Sequence, residues 1–284
     1  MEKNELGQFI PLHYHYNMLQ DVERMERFRA AISEMVKPGD TVLELGGGTG
    51  VLSFFAAQKA AQVYTVEYNL ELVNEAKRIL KFNTGGEKIE IIHADASEYV
   101  PEKPVDIVIC EMLHVGLLRE KQTEVIHMFK TNYEKKFGSQ RPFFIPCATL
   151  NAIQPVQQDF NFTGYTAPVF LFQDPYSIQE RTVELGNPVL YHQLMYEEPY
   201  ENSCSFDGKV QITKDGRLNA FRVITKSVLA FSPGGSTDWH SQYLILPLEN
   251  PFDVTAGHEI RVSFAYEFGA QLNAFKPDIF AKEV

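Results

Sequence analysis

Five residues constrain the chain more than any others. Gly46-Gly47-Gly48-Thr49-Gly50 stands between Thr41-Val42-Leu43-Glu44-Leu45, which reads as a buried strand, and a helix beginning at Val51. Glycines in a strand-to-helix turn tolerate positive φ and let backbone N–H groups come close to a ligand at the positive end of the helix. The dinucleotide pattern G-x-G-x-x-G fails at its third glycine, where Val51 stands. The turn reads instead as Gly46-x-Gly48-x-Gly50, preceded by an acid, Glu44. Glu67 ends the next strand-like run 21 residues after Gly46, where a carboxylate can bind a ribose hydroxyl pair.

The surrounding pattern alternates between helix and strand. Leu19–Met35 reads as one amphipathic helix, with Val22, Met25, Phe28, Ile32 and Met35 three or four apart, and Lys37-Pro38-Gly39-Asp40 ends it. Helices are expected over Val51–Ala61, Leu70–Phe82 and Thr123–Lys136, and strands over Gln62–Val66, Ile89–Ile92 and Val105–Cys110. Such alternation predicts a mostly parallel sheet covered by helices, joined by right-handed crossovers. After Gly138-Ser139-Gln140-Arg141-Pro142 the pattern changes to short strands: Ala148–Val156, Val189–Met195, Val210–Thr213, Ala220–Phe231, Gln242–Leu246 and Glu259–Phe268. Turn clusters such as Phe206-Asp207-Gly208, Asp215-Gly216 and Pro233-Gly234-Gly235 separate them. The expected fold class is therefore α/β, a Rossmann-like unit over 1–143 followed by an antiparallel, β-barrel-like unit over 144–284.

Composition narrows the function. With 44% hydrophobic residues in 284, the chain has ample apolar material for a core. The formal net charge of −11 lacks the basic field that nucleic-acid binding needs, so no nucleic-acid partner is expected. Such a charge suits solubility and leaves room for a basic acceptor. Cys110, Cys147 and Cys204 are odd in number and show no C-x-x-C spacing, which suggests a reduced, cytoplasmic chain without a zinc site. The polar opening Met1–Gln8 shows no signal peptide. Apolar runs such as Val169–Phe172 fall far short of the ~20 residues of a membrane span, so no membrane partner is expected. His13-x-His15 has no companion carboxylate or thiolate, so no metal is expected.

Ligands of open α/β sheets bind beyond the carboxyl ends of the strands. There stands Cys110-Glu111-Met112-Leu113-His114-Val115-Gly116-Leu117-Leu118-Arg119-Glu120. Two carboxylates facing one guanidinium satisfy two edges of its planar donor fork, which one acid cannot do. Glu120 reads equally as a solvated residue at the start of a helix, and Cys110 as a small core residue. Asp95, after the third strand, can accept from an exocyclic amine or simply form a turn.

These motifs resemble the class I S-adenosylmethionine-dependent methyltransferases. Glu44–Gly50 is similar to their first motif and Glu67 to their ribose acid. Within the class the likeness is to the protein arginine methyltransferases, through Val51-Leu52-Ser53-Phe54-Phe55-Ala56-Ala57 after the glycine turn and His15-Tyr16-Asn17-Met18-Leu19-Gln20-Asp21-Val22-Glu23-Arg24 before it. The resemblance implies that Arg24 pairs with the carboxylate of the cofactor, S-adenosyl-L-methionine, and that Met18 lines the methyl-transfer site. It matches Glu111 and Glu120 to the family's two glutamates nine apart, and Trp239 in Thr237-Asp238-Trp239-His240 to an arginine-pocket wall. Trp239 also reads as an ordinary strand-end aromatic.

The sequence departs from the family in three places. Asp238 replaces a histidine that pairs with an aspartate matched by Asp21, so two acids would face each other, which would raise one pKa or drive the pair apart. Gln122 stands where a second active-site methionine is expected. The family's aromatic N-terminal helix is poorly matched by Glu5–Leu12. The aromatic segment Asp159–Ile178 lies where the family inserts a dimerisation arm, which implies a homodimer unless the segment packs within the barrel.

The expected enzyme transfers methyl to a guanidinium or amine nitrogen of a protein or small molecule, with Glu111 and Glu120 as catalytic residues. Met18, Arg24, Glu44, Gly46, Gly48, Gly50, Glu67 and Asp95 would bind the cofactor and Trp239 the acceptor. The alternatives are a small-molecule methyltransferase and a catalytically weak cofactor-binding regulator on the same fold.

Overall fold

The computed structural model describes residues 10–232 and 234–281. The polar opening Met1–Gln8, most of the Glu5–Leu12 stretch and Pro233 of the expected turn lie outside the described residues.

Helices α1 (Leu12–Gln20) and α2 (Val22–Met35) lead into a doubly wound unit: β1 (Thr41–Leu45), α3 (Val51–Ala57), β2 (Gln62–Glu67), α4 (Leu70–Leu80), β3 (Ile89–His93), β4 (Ile107–Cys110), α5 (Gln122–Phe137) and β5 (Phe143–Ile145). The five strands pair in parallel in the order β3-β2-β1-β4-β5. The order reverses between β1 and β4, the switch point at which open α/β sheets bind ligands. Helix α4 illustrates the local logic: Asn69 caps it by accepting from Glu71 N, Lys77 and Arg78 sit in its last turn, and Leu72, Val73, Ala76 and Leu80 are buried.

The remaining strands are β6 (Ala148–Gln158), β7 (Asn161–Phe162), β8 (Tyr165–Thr166), β9 (Leu171–Gln173), β10 (Thr182–Glu184), β11 (Val189–Met195), β12 (Ser203–Gln211), β13 (Gly216–Ser232), β14 (Gly235–His240), β15 (Tyr243–Val254), β16 (Glu259–Glu267) and β17 (Asp278–Ala281). The largest sheet runs β10-β6-β13-β15-β9, with β11 added to β6 and β14 to β13. It curls around the bulges of the long β13. Its edges β9 and β10 meet through side chains, Gln173 Nε2 donating to Thr182 Oγ1 at 2.7 Å, with no ladder between them. The antiparallel unit is thus barrel-like, as its strand pattern suggests, and takes the form of a half-barrel. A second sheet, β12-β16-β17, has no ladder to it among the described residues and packs against its β11 side, where Tyr191 meets Phe264 and Tyr266. One contiguous buried cluster runs from Phe28 and Val42 of the α/β unit to Leu229 of the half-barrel and Val262 of β16.

Three local expectations change. The helix expected over Leu19–Met35 is broken at Asp21, whose side chain accepts from Arg24 N at 3.0 Å and starts α2 afresh. Phe206-Asp207-Gly208 is no turn but the middle of β12, paired with Val262–Phe264. The Phe206 ring folds over Gly208, its tip 2.3 Å from where a Cβ would stand. Finally, Phe143–Ile145 forms a fifth parallel strand beside β4. No helix among the described residues is long and apolar enough to cross a membrane.

Candidate active site

Register builds the site. Leu45 pairs with Val66 on one side and with Cys110 on the other, so Gly46, Glu67 and Glu111 leave the sheet at the same level. Glu67 pairs with His93, which brings Asp95 just past the same edge. A cavity of about 580 Å³ opens over this edge. Met18, Arg24, Glu44, Gly46, Gly48, Glu67, Asp95, Glu111, Glu120 and Trp239 all line it. Gly50 does not; it adopts φ 79° as the residue before α3.

The glycine turn is held from three sides. Glu67 accepts from Gly48 N at 2.9 Å and from Asn69 N at 2.8 Å. Gly46 and Gly48 have φ of 77° and 53°, where a side chain is strained. Gly47, which sequence reading passed over, is as constrained: a Cβ there would lie 2.0 Å from Thr65 Oγ1. Glu44 is buried beneath the turn and accepts from Ser53 N, Ser53 Oγ and Thr65 Oγ1. Burial pushes its carboxyl up to about 7 against the opposing effect of those hydrogen bonds. It ties β1 to α3 and β2. Asp95 accepts from Ser97 N and Oγ, a turn-forming arrangement that leaves the residue on the cavity wall.

Helix α1 lies across the opening, with no buried residue of its own. Tyr16 Oη donates to Glu75 of α4 at 2.7 Å. His15 reaches the turn, where a Cβ on Gly48 would come 2.9 Å from its Nδ1, and its buried Nε2 has no partner among the described residues. Burial and the nearby Arg24 charge lower its pKa. No local sequence pattern gives His15 a role; its one signal is its place three residues before Met18.

Arg24 of α2 donates through Nη2 to Glu111, and both side chains are about nine-tenths buried. Glu120 sits in the same cavity and receives no hydrogen bond from a described side chain. Burial first, and then the Glu111 charge, raise its carboxyl to about 8, while Arg24 and Arg119 oppose the rise. Trp239 of β14 packs edge-on to Phe28 of α2 at 5.8 Å. His114 stands against Phe172 at 5.6 Å, and burial lowers its pKa to about 4. Among the described residues no group of three or more His, Cys, Asp or Glu is placed to hold a metal ion.

The segment between the glutamates is strained and anchored. Gly116, Leu117 and Arg119 have φ of 67°, 55° and 63°, unusual for the two non-glycines. Gly116 N donates to Thr225 Oγ1 at 2.6 Å, and Tyr266 Oη donates to Gly116 O at 2.9 Å. Arg119 N donates to Ala270 O, and Gly269 N to Leu117 O. The half-barrel and the β16 sheet thus hold the loop that leaves β4.

The structure gives both substrate-side departures partners. Asp238 does not face an unrelieved acid: Lys226 of β13 lies 2.5 Å from its Oδ2, and Asp21 is occupied capping α2. Gln122 stands in the place of the methionine. It is buried, accepts from Met112 N at 2.8 Å and donates to Cys110 O at 2.6 Å.

Comparison with known proteins agrees with this architecture. The methyltransferase domain family matches residues 42–132. An uncharacterized protein of Methanocaldococcus jannaschii is 27% identical over 94% of this chain and 96% of its own length. Protein arginine N-methyltransferase 2 of Xenopus tropicalis is 30% identical over 92% of this chain and 67% of its own length. Among solved structures, the Trypanosoma brucei PRMT1 enzyme-prozyme heterotetrameric complex with AdoHcy superposes with a TM-score of 0.75 at 17% identity, covering 95% of this chain and 98% of that one.

The fold and the glycine-turn cavity are those of a class I S-adenosylmethionine-dependent methyltransferase, with S-adenosylmethionine as cofactor. Within that class the chain belongs to the protein arginine N-methyltransferase family. The residues present fit the cofactor: positive-φ glycines face the cavity, and the buried His15 Nε2 is left for a ligand.

Proposed function

We propose that the chain methylates a guanidinium or amine nitrogen held between Glu111 and Glu120, on a protein or small-molecule acceptor. The observation that carries this reading is the pair of carboxyls in one cavity, Glu111 engaged by Arg24 and Glu120 without a donor among the described residues. When bound, S-adenosylmethionine supplies an electrophilic methyl group on a sulfonium. Arg24 is suited to hold the cofactor carboxylate, because Glu111 uses one of its five N–H donors. Glu67 is the ribose acid, Asp95 the adenine-side acid, and Gly46, Gly48 and Gly50 shape the turn. Glu44 holds that turn from beneath, and Met18 borders the reacting centre.

Most of the catalysis is positioning. Glu111 and Glu120 accept N–H bonds from two edges of the acceptor and favour the positive charge of the transition state. A free guanidinium is protonated at neutral pH, so a proton must leave. Glu120, with its raised carboxyl, is the group suited to take it. Trp239 walls the acceptor side.

We further propose that 1–145, which takes in the whole of β5, acts as the cofactor unit and 146–284 as the substrate and dimerisation unit, in a cytoplasmic homodimer. Three buried free cysteines support a reducing compartment. Tyr165, Val169, Phe170 and Ile178, exposed on the segment Asp159–Ile178, support a self-association surface.

A weakly catalytic regulator is the second reading, favoured by Asp238 being neutralised by Lys226 where the family has a histidine. Calorimetric titration with S-adenosylmethionine followed by labelled-methyl transfer into host-cell lysate separates the readings. Label in protein supports the main one, label in small molecules moves the acceptor class, and binding without transfer leaves the regulator.

A further inference from the structure

The backbone around Glu111 lies beyond the reach of the sheet. Register on β4 ends with Cys110 opposite Leu45 on β1, and with Ile109 opposite Ile145 on β5. Past that point the ladder has no strand to satisfy the Cys110 carbonyl or the Met112 amide, the two peptide groups that flank Glu111. The carboxamide of Gln122 satisfies both: Nε2 donates to Cys110 O at 2.6 Å and Oε1 accepts from Met112 N at 2.8 Å. Gln122 is 1% exposed, sits in the first turn of α5, and is two residues from Glu120. Its side chain also meets the hydroxyl of fully buried Tyr196, which in turn bonds Thr149 Oγ1 at 2.8 Å. Tyr196 thus stands beside Gln122, between β6 and the peptides on either side of Glu111.

We infer that Gln122 is a positioning residue: its carboxamide closes the loop between the two glutamates and sets the direction in which Glu111 leaves β4. The inference rests on Glu111 and Glu120 holding the acceptor. A side chain of similar length without polar ends would fill the same volume and leave two buried peptide groups unpaired. Glu111 would then lose its fixed departure angle while the cofactor turn, built from β1 and β2, stayed as it is. Displacements of ~1 Å in a positioned group cost on the order of 100-fold in rate.

The test compares wild type, Glu111→Gln, Gln122→Met and Gln122→Glu for labelled-methyl transfer to lysate protein at saturating cofactor, at pH 6.5 and pH 9. S-adenosylhomocysteine affinity, read by calorimetry, reports on the folded cofactor site in each. Gln122→Met is expected to bind S-adenosylhomocysteine as wild type does and to transfer about 100-fold more slowly. Gln122→Glu can donate to Cys110 O only while its buried carboxyl is protonated, so its rate relative to wild type should be high at pH 6.5 and fall by pH 9. That ratio decides the matter if Gln122→Met fails to fold. A folded Gln122→Met with wild-type transfer, or a Gln122→Glu ratio independent of pH, overturns the inference. If wild type shows no transfer, or Glu111→Gln matches wild type, the two-glutamate reading falls and takes this one with it. A slow Glu111→Gln beside a fast Gln122→Met overturns this one alone.

Discussion

Glu120 is the residue whose acidity the fold alters in a direction that chemistry can use. If it takes the acceptor's proton, it must first be ionised, and its carboxyl stands near 8. The profile of kcat/KM, which reports the free enzyme, should therefore rise with pH through about 8 and level off above it. The profile of kcat should rise at lower pH, since a bound cation favours the ionised acid. A kcat/KM flat between pH 7 and 9 removes Glu120 from that role. Glu111→Gln and Glu120→Gln should each lower kcat/KM by about 100-fold or more while S-adenosylmethionine affinity at Glu120→Gln stays unchanged. Full activity in both variants would end the two-glutamate mechanism. At the cofactor end, Gly47→Ala places a Cβ against Thr65 Oγ1. It should cost about 1–3 kcal/mol in thermal or denaturant unfolding and weaken cofactor binding.

Elements explain what the sequence could and could not reveal. β1 to β4 and their helices are legible because period and turn chemistry agree there. Gly46, Glu67 and Glu111 are legible as site residues because each directly follows or ends a strand. The break at Asp21 is hidden because the apolar spacing runs on through Val22, although Val22 is 68% exposed. β12 is hidden because Asp207-Gly208 carries turn chemistry that pairing with β16 overrides. His15, Gly47, Gln122 and the Arg24–Glu111 pair depend on contacts between distant segments, which no local pattern records. The loop from Glu111 to Glu120 is the element on which these contacts converge. Tyr266→Phe removes the donor to Gly116 O, and with it the bond to Tyr191. It should lower kcat/KM about tenfold and stability by about 1 kcal/mol, with cofactor affinity unchanged. Equal kinetics in Tyr266→Phe would mean that the loop holds its shape without its hydrogen bond to the β16 sheet.

At the scale of the molecule, the charge of −11 and the exposed aromatic segment make separate predictions. A basic acceptor drawn by this charge should show a KM that rises with salt over a range in which cofactor affinity barely changes. The proposed homodimer predicts a sedimentation coefficient above that of a 32.4 kDa monomer at micromolar concentration. A monomer would leave Tyr165, Phe170 and Ile178 without their proposed partner.

The packing of Trp239 has one more consequence, for observing the protein. It is the chain's single tryptophan, and it borders the cavity from β14 while touching Phe28, four residues from Arg24. Excited near 295 nm, the molecule emits from one place only, so an unlabelled sample carries its own optical gauge of the cavity. A cation seated beside the indole should quench that light, and a ligand that fills the cofactor end should shift its colour through α2. The thirteen tyrosines are dark at this wavelength and add no background.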